Sequence, residues 1–510
     1  MPPHVDDAYI SYRFARNLAE GNGLVYNVGE YVEGFTNLLW TLLLAAGLEL
    51  GLDVKTAAHV LGVTSGLGLL WATYALAAAG LDDHRRWIAG IPPWIVLASL
   101  PFATWTLSGM ETPMFAALVT AALAAEVRAR AGWMTLALAL ATLTRPEGVL
   151  VAAVLLGFAW LRGDELWGSR WAPGVVYASV LLALTVFRLG YYGVPLPNTF
   201  YAKVGGVREG RGLWYLQESL RTGAGYLVLP AALMALAARW RCSAVLIVVF
   251  TAYVCRVGGD AFAYARFFMP LLPVLAVLAV LAWRRACDVN VVAGTVLGVC
   301  LGASVAHPML GSLPAFVFVA MTAAALGAYG LIRKRAGMAA PAALVAGVGL
   351  VVLVANVPLG RLSPDERFAW RSRAAVVRTA HKKAGMFELA ARHKANLLAR
   401  RNEPVKLVAA GGIGAIGYYT RLPILDIFGL IDPIIARTPA AFEHRGVMLP
   451  GHQRTNAAYV FERRPDYIMI PRSRGMAPAL AEILKSEDLE RDYEWDEEAR
   501  GFRRRDLPRR

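Results

Sequence analysis

Long apolar stretches separated by short polar gaps fill the first 357 residues of the chain. A helix needs about 20 apolar residues to cross the roughly 30 Å hydrocarbon core of a bilayer. The pattern predicts twelve transmembrane spans, at residues 55–80, 88–107, 112–126, 133–145, 147–161, 172–190, 223–238, 244–257, 267–283, 290–307, 312–331 and 338–357. Those at 112–126, 133–145, 147–161 and 244–257 are short, so we expect them to be tilted, broken or partly inserted.

The pattern changes after residue 357. Residues 358–510 contain no spanning stretch, and they combine a helical stretch at 365–401 with short apolar strands at Lys406–Ala410 and Tyr467–Ile470. We expect the two strands to pair. The sequence therefore predicts an all-α polytopic membrane bundle in residues 1–357, followed by an α/β domain in residues 358–510.

Composition excludes other classes of protein. Apolar residues make up 57% of the chain and charged residues only 17%, against about a quarter in soluble domains. This rules out a string of soluble domains and a disordered chain. The net charge of +15 would suggest nucleic acid in a soluble protein, but here membrane topology accounts for the basic residues, and we expect no nucleic-acid partner.

Basic residues mark one side of the predicted bundle. They fill alternate gaps, at Arg85/Arg86, Arg128/Arg130, Arg162/Arg170, Arg239/Arg241, Arg284/Arg285 and Arg333/Lys334/Arg335. Since Lys and Arg concentrate in cytoplasmic loops, this side is predicted to be cytoplasmic and the C-terminal domain extracytoplasmic. The first 35 residues would also lie outside, so we expect one further spanning helix before Met1. The Ala- and Arg-rich composition indicates a GC-rich bacterium, so the expected location is a bacterial plasma membrane.

Charged residues also gather on the predicted outer face. They are Asp6, Asp7, Arg13, Arg16, Glu111, Arg145, Glu147, Arg188, Lys203, Arg256, Asp260 and Arg266. Taken singly, each is explained as an anchor at the headgroup level or as part of a structural ion pair. Taken together, they favour a site, because arginine binds phosphate through a planar fork and a neighbouring carboxylate can remove a proton. The expected substrate is anionic and membrane-borne.

Several motifs that contain these charges resemble a known family. They are "DDAYISYRFARNLAEGNGLVYNVGEYVEGFTNLLW" from Asp6, "SGMETP", "TRPEG", "PLPNTFYAK", "GGDAFAYARFF" and the C-terminal "GAIGYYTRLPILDIFGLIDP". The chain resembles GT-C-type integral membrane glycosyltransferases that use polyprenyl-phosphate sugars, most of all the terminal arabinofuranosyltransferases. The resemblance implies that residues 1–54 are the first outer loop, with an interfacial helix at 36–52. The alternative for 36–52, a further span, would break the charge alternation.

The resemblance also implies roles for individual residues. Asp6 would remove a proton from the acceptor hydroxyl, and Asp7 would orient the acceptor or hold a divalent cation. The leaving lipid phosphate would be stabilised by Arg145, Arg188, Lys203, Arg256 and Arg266. The acceptor or its sugar would be bound by Tyr9, Arg13, Glu111, Glu147, Asn198, Tyr201 and Asp260, with Trp105 as a further stacking residue. The implied partners are a polyprenyl-phosphate-sugar donor, an envelope glycan or glycolipid acceptor, and membrane lipids.

The segment Gly412–Gly417 fits the dinucleotide-binding pattern G-x-G-x-x-G. That fingerprint also requires a helix after the glycines and an acidic residue about 20 positions later. Asp426 and Asp432 are the available acids, but residues 418–425 are interpreted as a turn and a strand rather than a helix. We therefore expect tight turns here and no nucleotide cofactor.

Two other functional classes remain open from the sequence. A transporter or flippase of a lipid-linked or anionic solute would suit the many spans, but the charges lie on one face and no inverted repeat is visible. A structural component of an envelope complex would leave the Asp6–Asp7 pair unexplained. Transfer of a labelled sugar, movement without a new bond, or neither would distinguish the three.

Overall fold

The computed structural model describes residues 4–166, 168–203, 210–220, 225–235, 237–260, 262, 265–289, 294, 297–298, 301, 373–401, 403–439, 454–470 and 478–508. The helices up to residue 289 are α1 Asp6–Ala19, α2 Leu38–Glu49, α3 Val54–Ala79, α4 Ile91–Ala98, α5 Leu100–Trp105, α6 Thr112–Val127, α7 Ala131–Thr144, α8 Gly148–Arg162, α9 Ala172–Tyr192, α10 Asn198–Lys203, α11 Arg211–Ser219, α12 Gly225–Ala235, α13 Arg241–Arg256 and α14 Leu272–Val289. Short 3₁₀ turns are formed by Asp83–Gly90, Ala238–Trp240 and Arg266–Leu271.

The predicted spans correspond to helices wherever the structure describes them. Within the described residues, four continuous helical stretches are long and apolar enough to cross a membrane: Val54–Ala79, Ala172–Tyr192, Ala238–Arg256 and Arg266–Asp288. The short apolar helices α6, α7 and α8 lie where short spans were predicted. The predicted spans 312–331 and 338–357 lie outside the described residues, as does most of 290–307. The total number of spans stays a prediction.

The predicted span at 88–107 differs most from expectation. It is divided into the 3₁₀ turn Asp83–Gly90 followed by α4 and α5. Prolines occupy the first turn of both α4 and α5, and the Ser99 hydroxyl accepts a hydrogen bond from the Phe102 amide at the start of α5. Because proline lacks an N–H and fits a first turn better than a helix interior, the prolines mark the starts of two separate helices here.

Small residues bring the end of this broken stretch close to α3. A Cβ atom on Gly62 would lie 2.4 Å from the Thr106 carbonyl oxygen, and one on Gly66 would lie 2.9 Å from the Thr106 side chain. Glycines four residues apart allow this approach of backbone to backbone. The contact fixes the loop from Thr106 to Glu111, which leads directly into α6.

The C-terminal region forms a small α/β domain. It contains α15 Arg373–Arg401, β1 Val408–Ala410, α16 Gly414–Thr420, β2 Ile424–Asp426, α17 Pro433–Arg437, α18 Ala457–Glu462, β3 Tyr467–Met469, α19 Pro478–Leu484, α20 Glu487–Asp492, β4 Tyr493–Asp496 and β5 Gly501–Arg504. The sheet order is β2-β1-β3-β5-β4, with β1 parallel to β2 and β3. The predicted pairing of the two apolar strands is confirmed, since Val408 lies opposite Tyr467.

The α/β domain packs directly on α1 and the loop that follows it. Ile10 and Phe14 of α1 belong to the same buried cluster as Val408, Ile413 and Ile416. Burial of such apolar surface stabilises the junction by about 25 cal/mol per Å². Helix α1 is therefore part of the core of the C-terminal domain, even though the two lie almost 400 residues apart in the sequence.

Arg13 joins the two regions through its guanidinium. It is 3% exposed, and it donates hydrogen bonds to the backbone carbonyls of Tyr26 at 2.7 Å, Gly417 at 2.8 Å and Leu422 at 2.8 Å. The central carbon of the guanidinium, Cζ, lies 4.2 Å from the centre of the Tyr26 ring. These contacts hold α1 against α16 and β2, so Arg13 has a structural role at this junction.

We predict that Arg13→Ala lowers the free energy of unfolding by roughly 3 kcal/mol, because it leaves buried carbonyls without donors. Thermal unfolding of the detergent-solubilised protein measures this. Arg421→Ala is the matched control: its side chain is 65% exposed and lies 3.3 Å from Glu20. An exposed pair of this kind contributes less than about 1 kcal/mol. Equal losses in the two variants would contradict the structural role of Arg13.

Candidate active site

The acidic pair begins α1, where the junction with the C-terminal domain is formed. The Asp6 carboxylate accepts a hydrogen bond from the Ala415 amide at 2.8 Å and one from the Gly414 amide at 3.2 Å. Gly414 has no room for a side chain, since a Cβ atom there would lie 1.8 Å from the Asp6 carbonyl oxygen. The first predicted catalytic residue is therefore held by backbone atoms of the C-terminal domain.

Burial raises the pKa of Asp6 to about 6, and the nearby Asp7 carboxylate raises it further. The two amide hydrogen bonds oppose this, because they stabilise the ionised form. Asp7 is half-buried, and within the described residues it has no hydrogen-bond or ion-pair partner. The pair thus consists of one carboxylate that is fixed and one that is free to meet a ligand.

A network of buried charges reaches α1 at Ser11. Arg145 donates to Glu111 at 2.9 Å and forms a two-pronged contact with Glu147, at 3.0 and 3.1 Å. Glu111 also accepts from Asn37 at 2.9 Å, and Asn37 is hydrogen-bonded to Ser11. Ser11 follows Asp7 by one helical turn and so shares its face of α1. The motifs "SGMETP" and "TRPEG" therefore meet beside the acidic pair.

Arg266 lies beside this network, and one of its guanidinium nitrogens has no hydrogen-bond partner among the described residues. It forms an ion pair with Asp260, including a 3.1 Å hydrogen bond from Nη2, while Nη1 is buried and has no hydrogen-bond partner in the described part of the chain. Both Arg266 and Arg145 line a narrow cleft. The hydroxyl of Thr112, also on the cleft wall, is likewise unpartnered among the described residues. The cleft thus offers hydrogen-bond donors to an anionic group.

The remaining predicted cations lie elsewhere. Arg188 is bound to Glu33 at 2.8 and 2.9 Å, so its guanidinium already has a carboxylate partner. Lys203 is exposed at the end of α10, and Arg256 is exposed at the end of α13. The described residues contain no hydrogen-bond or ion-pair partner for either. The cations in the predicted phosphate set therefore do not form a single cluster of free charges.

Several predicted sugar-binding residues have contacts within the protein. Asn198 donates to the carbonyls of Gly429 at 2.8 Å and Leu430 at 3.1 Å, which ties α10 to the C-terminal domain. The guanidinium of Arg437 lies 4.7 Å from the centre of the Tyr201 ring. Tyr9 and Trp105 are 0% and 2% exposed, so both are packed inside the protein. Stacking of Tyr9 or Trp105 on a sugar would require a rearrangement.

The expected turn and strand at residues 418–425 are found in part: β2 begins at Ile424, but residues 418–420 belong to a helix. Helix α16 begins at Gly414 and links the parallel strands β1 and β2. The turn residues nevertheless have a different use, since their amides donate to Asp6. Asp426 is also engaged: it is 0% exposed and accepts hydrogen bonds from the amides of Phe428 and Ile431. The expected absence of a nucleotide cofactor stays a prediction.

No group of three or more His, Cys, Asp or Glu side chains within the described residues is arranged to hold a metal ion. A divalent cation at Asp6 and Asp7 stays a prediction.

Sequence reasoning missed Glu33, Asn37, Thr112 and the two amides of α16. Glu33 lies inside a motif already noted, and its position next to a largely apolar stretch could have marked it as a candidate. The two backbone amides could not have been found in this way, because a backbone amide leaves no signal in the sequence.

Comparison with known proteins places this site in context. A family model described as a domain of unknown function, DUF8728, matches residues 381–506. The terminal beta-(1->2)-arabinofuranosyltransferase of Mycobacterium tuberculosis is 28% identical over 46% of this chain and 41% of its own length. That of Corynebacterium glutamicum is 30% identical over 52% of this chain and 46% of its own. The chain thus spans less than half the length of these curated relatives.

The fold is similar to the crystal structure of ArnT from Cupriavidus metallidurans bound to undecaprenyl phosphate. The TM-score is 0.50 at 16% identity, and the match covers 84% of this chain and 82% of ArnT. Together with the apolar helices, these matches identify a membrane protein. The chain has a GT-C-type fold like that of ArnT and, as its motifs predict, resembles the terminal arabinofuranosyltransferases.

Proposed function

We propose that the chain is a membrane glycosyltransferase that moves a sugar, arabinofuranose or a similar one, from a polyprenyl-phosphate donor to an envelope glycan or glycolipid. The observation that carries this proposal is the carboxylate pair on α1, a helix whose Ser11 is linked through Asn37 and Glu111 to Arg145 on the wall of the cleft. In that cleft, Nη1 of Arg266 has no hydrogen-bond partner among the described residues. The names of the curated relatives and the lipid phosphate bound by ArnT support the classes of sugar and donor. The basic residues in alternate gaps, which predict the cytoplasmic side, support a reaction on the opposite, outer face of a bacterial plasma membrane.

In this mechanism Asp6 is the general base. Its carboxylate removes the proton from an acceptor hydroxyl, and that oxygen attacks C1 of the donor sugar. The bond between C1 and the phosphate oxygen breaks, and the lipid phosphate leaves with its electron pair. A carboxylate with a pKa near 6 suits this step, because a base works best when its pKa is close to the working pH. Asp7, with no partner among the described residues, orients the acceptor.

Arg266 is the residue best placed to stabilise the leaving phosphate. Its Nη1 faces no acceptor in the described residues, and it lines the cleft together with Thr112. Arg145 has two carboxylate partners and so acts mainly by fixing Glu111 and Glu147 in place. Donors that are already oriented stabilise developing charge without reorganisation.

The function is tested by incubating the purified protein in vesicles with radiolabelled polyprenyl-phosphate sugars and glycan acceptors. A new glycosidic bond supports the proposal. Movement of the lipid across the bilayer without bond formation would instead establish a transporter, and would overturn it.

We predict that Asp6→Asn lowers the rate of transfer by roughly 10²- to 10⁴-fold, since the amide cannot accept the proton. Asp7→Asn, which keeps Asp6, should cause a smaller loss and mainly raise KM for the acceptor. Thermal unfolding of both variants controls for misfolding. Wild-type activity in a folded Asp6→Asn variant would show that Asp6 is not the base.

The pKa of Asp6 leads to a prediction for pH dependence. Asp6 must be ionised to accept a proton, so transfer should fall as the pH drops through about 6. Replacing Asp7 with Asn removes a negative charge that raises the pKa of Asp6, and the fall should then move to lower pH. Rate measurements from about pH 4.5 to 8 test this. A profile unaffected by Asp7→Asn would contradict the assignment.

We predict that Arg266→Lys lowers kcat/KM for the donor roughly tenfold, because lysine keeps the charge opposite Asp260 but loses the planar fork. Arg188→Lys is the matched control, since Arg188 is fully engaged with Glu33. If the control loses as much donor efficiency as Arg266→Lys, the proposed phosphate contact is wrong.

A further inference from the structure

The amides that hold Asp6 come from a region far from it in the sequence. The Asp6 carboxylate receives both of its hydrogen bonds from Gly414 and Ala415, at the first two residues of α16. No side chain of the membrane bundle donates to it within the described residues. The orientation of this carboxylate thus depends on where the C-terminal domain docks.

The surrounding packing makes this docking specific. Gly414 leaves no space between α16 and the backbone of Asp6. Immediately beside it, the Tyr26 hydroxyl donates to the Ile413 carbonyl at 2.5 Å, and Arg13 donates to the Gly417 carbonyl. Contacts before and after the two amides therefore fix the start of α16, and with it the direction of both N–H groups.

We propose that the backbone amides of Gly414 and Ala415 are positioning groups for Asp6, so that docking of the C-terminal domain sets the strength of the base. This rests on the proposed function, in which Asp6 is the base. In the docked arrangement both amides stabilise the ionised carboxylate. If α16 moves away, the carboxylate loses two donors, its orientation is no longer fixed, and its affinity for a proton changes.

Few other titratable groups face Asp6. Asp7 lies next to it on α1, and Tyr26 approaches from the following loop. Helix α16 contributes only backbone amides at this point. A change confined to those amides should therefore alter the titration of Asp6 without removing a neighbouring charge.

Ala415→Pro removes one of these amides. Proline is tolerated in a first turn, and Pro101, Pro113 and Pro173 already occupy such positions in this chain. Loss of a hydrogen bond to the ionised form raises the pKa of Asp6. The acid limb, which is the fall in transfer rate at low pH, should therefore move to higher pH by about one unit. The transfer rate above the limb should fall less than in Asp6→Asn.

Val460→Ala is the control for a purely structural effect. Val460 is 0% exposed and belongs, with Ile468 and Ile483, to a buried cluster of the C-terminal domain separate from the one that contains α1. Its truncation should lower thermal stability without moving the acid limb. An acid limb that is the same in Ala415→Pro as in the wild type, or that moves equally in Val460→Ala, would overturn the proposal.

Hydrogen–deuterium exchange gives a second test that needs no change in α16. Asp6→Asn removes the charged acceptor, so the peptide covering Gly412–Ile416 should exchange faster, whereas Asp7→Asn should leave its exchange unchanged. Equal exchange in the wild type and Asp6→Asn would overturn the positioning role. Retained transfer in Asp6→Asn would instead refute the general base, so the two failures can be told apart.

Discussion

The burial of charge next to the acidic loop is the constraint on which the rest of the structure depends. A charge removed from water is costly unless it is paired or hydrogen-bonded. The protein stabilises its buried charges in two ways. Arg145, Arg188 and Arg266 each have carboxylate partners, while Arg13 and Asp6 bind backbone carbonyls and amides of the C-terminal domain. The second solution links two regions that the sequence places at opposite ends.

The paired charges change how an anionic substrate is bound. A site made only of free arginines would attract phosphate strongly but would also hold the leaving group after reaction. Among the described residues that line the cleft, the arginines are paired with carboxylates, and the donors left without a partner are particular atoms such as Nη1 of Arg266. Such a site recognises geometry more than net charge, because the oriented donors favour one position of the ligand.

The limits of sequence reasoning follow from the kinds of contact involved. Apolar periodicity located the helices well, and the strand pairing of the C-terminal domain was predicted from two short apolar stretches. The sequence also contained the motifs around Glu111 and Arg145. It did not show that Arg188 meets Glu33, or that α16 supplies amides to Asp6, because these partners lie 155 and 409 positions apart. The glycine-rich segment was predicted to form tight turns, and nothing in its sequence indicated that its amides bind a carboxylate.

The hydrogen bond from Ala415 has a consequence for how this protein can diverge. Every residue except proline supplies a backbone N–H, so position 415 can change its side chain while the contact to Asp6 persists. Gly414 has no such freedom, because any side chain would collide with α1. A comparison of side chains among relatives would therefore detect the glycine and overlook the neighbouring donor. The part of the site that lies in the C-terminal domain is encoded mainly as backbone shape.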